Sequence, residues 1–359
     1  MSVMLLTTNY PPVGGGVSRY LDGLVGVANG RVQVAGFGGG QLPPAGDGLV
    51  ARVSQICWAK RTVGRTHPDV GILAGQPHLA LGAILARRPF AVVLHGGEWE
   101  DYPNGGRLLA RVLKKSSVIV VSSEATGLQW VPASLRGRVM VIRPGIPEFT
   151  SRQEAHPSAE ESGTQGASEL RVLAVARLSP RKGFVRLVRA VQQCATRGVG
   201  MTLDIVGEGV MMAELQATVA GHPNINLRGH VPDDLLAELY RRADVFALVP
   251  ERISGGEGWE GFGIVYLEAA ALGLPVVGTR TGGVSEATCP EGSILLDETC
   301  GVDEVATALE SLALNPGRRR LMGEANRDWA TKQTWAHRKP LVDDLLARMA
   351  TSPKTKGQP

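Results

Sequence analysis

Short aliphatic, β-branched runs recur along this chain, most of them closed by glycine or a polar turn and separated by helix-like segments. They are Ser2–Thr7, Val32–Phe37, Val70–Leu73, Ala91–Leu94, Val118–Val121 and Val139–Ile142, then Leu170–Val175, Leu203–Val206, Ile225–Gly229, Val245–Val249 and Val276–Val277. This alternation predicts open, mostly parallel α/β sheets that hold ligands at the carboxyl ends of their strands. With 359 residues the chain has material for two domains of ordinary size. Phe149 to Glu169 is rich in Ser, Glu, Gln, Gly and Ala and almost lacks large apolar residues, which is a linker's composition. Residues 1–148 and 170–334 are therefore expected to form separate α/β domains joined by 149–169.

Charge and cysteine content remove several classes of function. Lys and Arg number 38 against 34 Asp and Glu, giving +4 without a basic block, so phosphate-bearing ligands are permitted while nucleic acid is not indicated. Cys57, Cys194, Cys289 and Cys300 are scattered with no paired spacing, which argues against a zinc site or a disulfide framework. Neither an export signal nor a membrane-spanning run is evident, so a cytoplasmic protein is expected. The helix-like segment with Arg107, Arg111, Lys114 and Lys115 beside Leu108, Leu109, Val112 and Leu113 has two readings. It is either the solvated face of a core helix or a peripheral contact with an anionic membrane.

The stretch from Trp259 to Val277 carries the chemistry. A glycine-rich loop with Glu260 leads into the apolar run Ile264–Ala271, which Gly273 and Pro275 stop before a strand. Amides near the helix N-terminus, unhindered at Gly261 and Gly263, can grip a phosphate or sugar oxygen. Glu268 lies eight residues beyond Glu260, about two helical turns, and is expected to project from the same side. A charge among Leu267, Ala269 and Ala270 needs a partner if it is buried.

Glu260-Gly261-Phe262-Gly263, Leu267-Glu268-Ala269 and Gly273 to Val277 together resemble the signature of retaining glycosyltransferases of family 4. The resemblance implies the GT-B fold, two Rossmann-like domains whose parallel sheets face a central cleft. It also implies that Glu268 holds the nucleotide ribose, while Glu260 and the backbone of Gly261, Phe262, Gly263, Ile264 and Val265 hold the transferred sugar. Ala176 to Gly183 is similar to the family's diphosphate segment, so that Arg177 and Lys182 would bind the pyrophosphate. Fixed positive charge ahead of a glycine and a helix suits that task. Arg181 is an additional charge with no role read from the sequence.

Other segments match more briefly. Gly15 and Gly16, between a strand and a helix, resemble the family's first loop, where glycines let the backbone approach the donor phosphate. His95-Gly96-Gly97-Glu98 resembles the segment contacting the donor sugar, giving His95 a hydrogen-bonding and charge-stabilising role. Gly207 resembles a turn near the nucleotide, Val231 a residue flanking the base, and Gly282 to Glu286 a further family turn. Glu251 to Gly258 reads as a loop able to fold over the donor, and with the residues after it most resembles the phosphatidylinositol mannosyltransferase branch. A helix from Trp335, within 335–359, is implied to cross back onto the first domain. Arg143–Pro147 departs from the family's usual Pro-Asn-Gly-Val-Asp.

The activity implied is transfer of a sugar, with retention, from a nucleoside-diphosphate sugar to a small-molecule or lipid acceptor. GDP is preferred and UDP is the other candidate. No metal or cofactor is expected, because no DxD motif is present and the cations take its place. A nucleotide-sugar epimerase and a non-catalytic nucleotide-sugar-binding protein are the alternatives. A nicotinamide oxidoreductase is disfavoured, since no GxGxxG follows the first strand.

Overall fold

The structure is a computed structural model and describes residues 2–11, 14–36, 46, 48–96, 106–147, 169–253 and 259–351. Gly97, Glu98, the linker up to 168, the loop tip 254–258 and the end of the C-terminal segment lie outside the described residues. The chain divides into two compact units, Met1–Gly145 with Trp335–Pro359, and Ile146–Thr334.

Unit 1 is built on β1 (Val3–Leu6), β2 (Val32–Val34), β3 (Gly71–Ala74), β4 (Phe90–Leu94), β5 (Val118–Val121) and β6 (Val139–Val141). They form one parallel sheet of order β2-β1-β3-β4-β5-β6. Every residue of β4 and β5 is buried because helices cover both faces. The period of two sorts the side chains. Val3, Leu5, Ala91, Val93, Val118 and Val120 pack with the helices Gly16–Val27 and Trp335–Thr351, whereas Leu6, Val92, Leu94, Ile119 and Val121 pack with those on the other side. The C-terminal helix thus belongs to unit 1. In the helix Arg107–Lys115, Leu109, Val112 and Leu113 are buried while the four cations are exposed. Burial of each such side chain is worth about 1.5–3 kcal/mol, which fixes the face this helix turns inward.

Unit 2 repeats the plan with β7 (Leu170–Val175), β8 (Met201–Val206), β9 (Ile225–Gly229), β10 (Val245–Ala247), β11 (Val276–Thr279) and β12 (Ser293–Leu296), parallel and in the order β12-β11-β10-β7-β8-β9. The strand β12 and the helices Val302–Ala313 and Pro316–Ala330 were not anticipated from the sequence. In each sheet the strand order reverses once, between β1 and β3 in unit 1 and between β7 and β10 in unit 2. Loops leaving the two strands at such a point diverge and open a crevice for ligands. Among the described residues no helix is long and apolar enough to cross a membrane.

Candidate active site

In unit 2 the two diverging loops carry opposite charges that meet. From β7 the chain runs through Arg177 to a 3₁₀ turn at Pro180–Lys182, then through Gly183 into the helix Phe184–Thr196. From β10 it loops out and returns at Trp259 and Glu260. The Lys182 ammonium donates to Glu260 Oε2, and Arg181 Nη1 donates to the same oxygen at 3.2 Å and to the Trp259 carbonyl at 3.2 Å. Lys182 and Glu260 are both buried.

The backbone braces this pair from two sides. Glu251 N donates to Arg181 O at 2.9 Å, and Gly283 N donates to Glu260 O at 2.8 Å. At Gly282 φ is +56°, and a Cβ there would lie 2.0 Å from the Glu260 carbonyl oxygen, so only glycine lets this turn support Glu260. Gly207, with φ +140°, is pressed against the Ala176 carbonyl in the same way, locking the turn after β8 onto the root of the Arg177 loop.

Burial alone would push the Glu260 carboxyl up, but the Lys182 ammonium and the Arg181 guanidinium outweigh it and hold the group below the usual carboxylate range. Lys182 shifts downward: burial disfavours its charge, the Glu260 carboxylate opposes that, and Arg181 and Arg177 add to it. The Arg177 side chain is exposed and makes no hydrogen bond or ion pair among the described residues. Two cations thus hold one carboxylate, and a third, Arg177, is close enough to act on Lys182. That surplus suits an anion of more than one charge, such as a diphosphate.

The helix of this site runs Ile264–Ala271 from Gly263, with no side-chain cap; its first backbone bond is Tyr266 N to Gly263 O at 3.0 Å. The amides of Ile264 and Val265 precede that bond and form an anion-accepting end. Glu260 lies four residues ahead of the helix, so the expected two-turn alignment with Glu268 does not hold: glycine at 261 and 263 extends the loop. Glu268 is half-buried on the helix, and the Tyr240 hydroxyl donates to its Oε2 at 3.3 Å. Tyr240 stacks on Phe246 at 6.0 Å, and Phe246 meets Tyr266 edge-on at 5.6 Å. Val231 and Phe262 are buried in the hydrophobic core of unit 2, which leaves their backbones rather than their side chains for ligand contact.

At the corresponding point of unit 1 the loops are joined by neutral hydrogen bonds. Gln76 accepts from Thr8 N at 3.3 Å and donates to Thr7 Oγ1 at 3.2 Å, tying the loop after β1 to that after β3. His95, directly after β4, places Nε2 2.9 Å from the Gly75 carbonyl, an acceptor that requires the proton on Nε2. Its ring stands edge-on to Tyr20 at 5.4 Å; Tyr20 donates to the Ile142 carbonyl at 3.0 Å and packs on Trp335 at 5.6 Å. Gly15 and Gly16 are exposed at the uncapped start of the helix Gly16–Val27, with nothing within 4 Å of a Cβ built at Gly15.

Residues 159–329, which include every unit 2 side chain described above, match the family model of glycosyl transferases group 1. The chain carries a glycosyltransferase group 1 domain. The GDP-mannose-dependent alpha-(1-6)-phosphatidylinositol monomannoside mannosyltransferase of Mycolicibacterium smegmatis is 29% identical over 377 residues, covering 96% of this chain and 98% of its own. The D-inositol 3-phosphate glycosyltransferase of Segniliparus rotundus is 30% identical over 219 residues, covering 58% of this chain and 46% of its own. The crystal structure of HepE from Anabaena in complex with UDP and glucose superposes with a TM-score of 0.77 at 18% identity, covering 97% of this chain and 99% of that one. That likeness shows the GT-B fold.

Within the group 1 domain the structure joins Lys182 to Glu260, sets Arg177 beside them, and places the start of the helix Ile264–Ala271 directly after the acidic loop. Arg181 and the turn Gly282–Gly283 are the participants whose contacts the sequence did not disclose. An arginine next to the lysine was the available signal for the first.

Proposed function

We propose that this protein is a retaining, metal-independent glycosyltransferase that moves a sugar from a GDP-sugar, of the mannose class, to a lipid acceptor. The observation that carries the reading is the pairing of Lys182 and Arg181 with Glu260 at the carboxyl ends of β7 and β10, with Arg177 close enough to act on Lys182, beside an uncapped helix start. Arg177 and Lys182 neutralise the departing diphosphate, the task a metal ion performs elsewhere. Glu260 and the amides of Ile264 and Val265 orient the sugar, and Glu268 bonds the ribose hydroxyls. His95, its ring fixed by Gly75 and Tyr20, hydrogen-bonds the sugar. The leaving phosphate takes the acceptor's proton, so no separate general base is needed.

The relatives' GDP-mannose dependence supports the donor, and the phosphatidylinositol mannoside acceptor of the Mycolicibacterium enzyme supports a lipid. Charge adds to this. Unit 1 has 20 Lys and Arg against 9 Asp and Glu, or +11, while unit 2 has 18 against 25, or −7. The unit 1 helix Leu49–Arg65 contains Arg52, Lys60, Arg61 and Arg65 without an acid, and exposes Leu49, Val50 and Val53. A basic surface with exposed apolar residues suits peripheral contact with an anionic membrane.

The test is incubation with GDP-mannose, UDP-glucose and phosphatidylinositol monomannoside, with and without EDTA, followed by NMR of the product. Mannosyl lipid of α configuration, formed equally with EDTA, is expected. A β product would sink retention, loss with EDTA would sink metal independence, and transfer from UDP-glucose alone would reassign the donor.

A further inference from the structure

Two cations share one carboxylate oxygen in unit 2, Lys182 and Arg181 both donating to Glu260 Oε2. They are not equivalent. Lys182 is buried and Glu260 is its one ion-pair partner among the described residues, while Arg181 is fixed at further points through Trp259 O and through its own carbonyl, which accepts from Glu251 N. A diphosphate held at the exposed Arg177 would also attract the Lys182 ammonium, which is close enough to Arg177 to feel its charge. Moving the ammonium to a phosphate oxygen would strip a buried carboxylate of a partner, and an uncompensated buried charge is costly.

Arg181 meets that requirement. Its planar fork has donors enough to keep both the Trp259 carbonyl and the Glu260 carboxylate, which a lysine could not do with the same geometry. We propose that Arg181 is a positioning residue that holds Glu260 in place while Lys182 passes from Glu260 to the diphosphate of the donor. The inference rests on the donor-site reading above. Before the donor binds, Glu260 neutralises Lys182; afterwards the phosphate neutralises Lys182 and Arg181 neutralises Glu260. No covalent bond changes in the exchange, and Glu260 stays ionised as a hydrogen-bond acceptor for a sugar hydroxyl.

The experiment is calorimetric titration of GDP into the full-length wild type, Arg181→Gln, Glu260→Gln and the double variant, each checked for folding by circular dichroism. Arg181→Gln is expected to weaken GDP binding about tenfold or more, the scale for a lost charge-assisted bond. Glu260→Gln alone is expected to bind GDP at least as tightly as the wild type, because Lys182 is then already released. In the double variant affinity returns to within about twofold of Glu260→Gln, since a neutral amide needs no cation when Lys182 leaves. A merely structural arginine would give losses that add instead of a rescue.

Wild type and Arg181→Gln binding GDP equally, or losses that add, would overturn the proposal while leaving the donor site standing. A folded wild type that binds neither GDP nor UDP would remove the donor-site reading and the proposal with it. Arg181→Lys, which keeps the charge and loses the fork, serves if Arg181→Gln does not fold: a partial loss cured by Glu260→Gln supports the exchange, and no loss contradicts it.

Discussion

The two units place their candidate residues at the same topological point and fill it with opposite chemistry. Where strand order reverses in unit 2, a buried lysine, two arginines and a glutamate meet. At the equivalent point of unit 1, Thr7, Gln76, His95 and Tyr20 are joined by neutral hydrogen bonds and ring contacts. Outer charge is reversed, since the unit with the cationic site is −7 and its counterpart +11. A fold's topology therefore fixes where a ligand sits, and local residues fix which ligand. Packing holds the unit 1 arrangement and charge holds that of unit 2, so different perturbations should break them.

The largest effect is expected at Trp335. It is buried against Tyr20, and a Cβ on Gly23 would lie 2.0 Å from its indole, so the ring packs directly on the Gly23 backbone and its removal leaves a cavity. Trp335→Ala should destabilise unit 1 by about 3–5 kcal/mol in urea unfolding, the usual range for a deleted core aromatic. GDP binding at low denaturant should persist. Loss of nucleotide affinity in a folded Trp335→Ala protein would show that the two regions are not held independently.

The surroundings of Trp335, unlike the helix it begins, were not legible in the sequence. The strand runs, the unit 2 motifs and the C-terminal helix were legible because each is local: a period, a glycine turn, a spacing. Tyr20, His95, Ile142 and Trp335 come together from four distant segments, and nothing in any one of them points to the others. Glu260 was legible as a residue and misplaced as geometry, because the helix begins only after Gly263. Strand β12, four half-buried residues between polar turns, offered too short a pattern.

Next comes Lys182. Lys182→Ala should lower kcat/KM about 100- to 1000-fold, the scale for removing one group that stabilises a leaving oxyanion. The downward shift of this ammonium gives a pH arm. GDP affinity should fall as pH rises through a value below the ordinary 10.5, and Lys182→Ala should lack that limb. The sign is opposite for the stability Glu260 contributes. Its lowered folded value means that stabilisation is present above its ordinary value of 4.5 and is lost as pH falls through the folded one. Urea midpoints of wild type and Glu260→Gln should therefore converge in acid; a constant gap would contradict the ionised pair.

Glu268 tests whether charge alone accounts for unit 2. The Tyr240 hydroxyl donates to it, and Glu268→Ala should weaken GDP by about 1.5–3 kcal/mol through lost charge-assisted bonds to the ribose. Inorganic pyrophosphate should bind the variant as it binds the wild type. Equal loss for both ligands would place Glu268 with the phosphate cations and not with the ribose.

The smallest expected effect isolates one neutral bond in unit 1. Tyr20→Phe removes the donor to the Ile142 carbonyl and keeps the ring against His95 and Trp335. The carbonyl is left buried, so stability should drop by about 1–3 kcal/mol while turnover changes little. Tyr20→Leu removes the aromatic edge as well and frees the imidazole to rotate off the Gly75 carbonyl. Imidazole nitrogen shifts should then report mixed tautomers, where wild type and Tyr20→Phe keep the proton on Nε2. A Tyr20→Phe protein with the turnover loss of Tyr20→Leu would mean that the hydroxyl, and not the ring, sets the histidine, and that a polar anchor rather than packing holds the unit 1 side of the comparison.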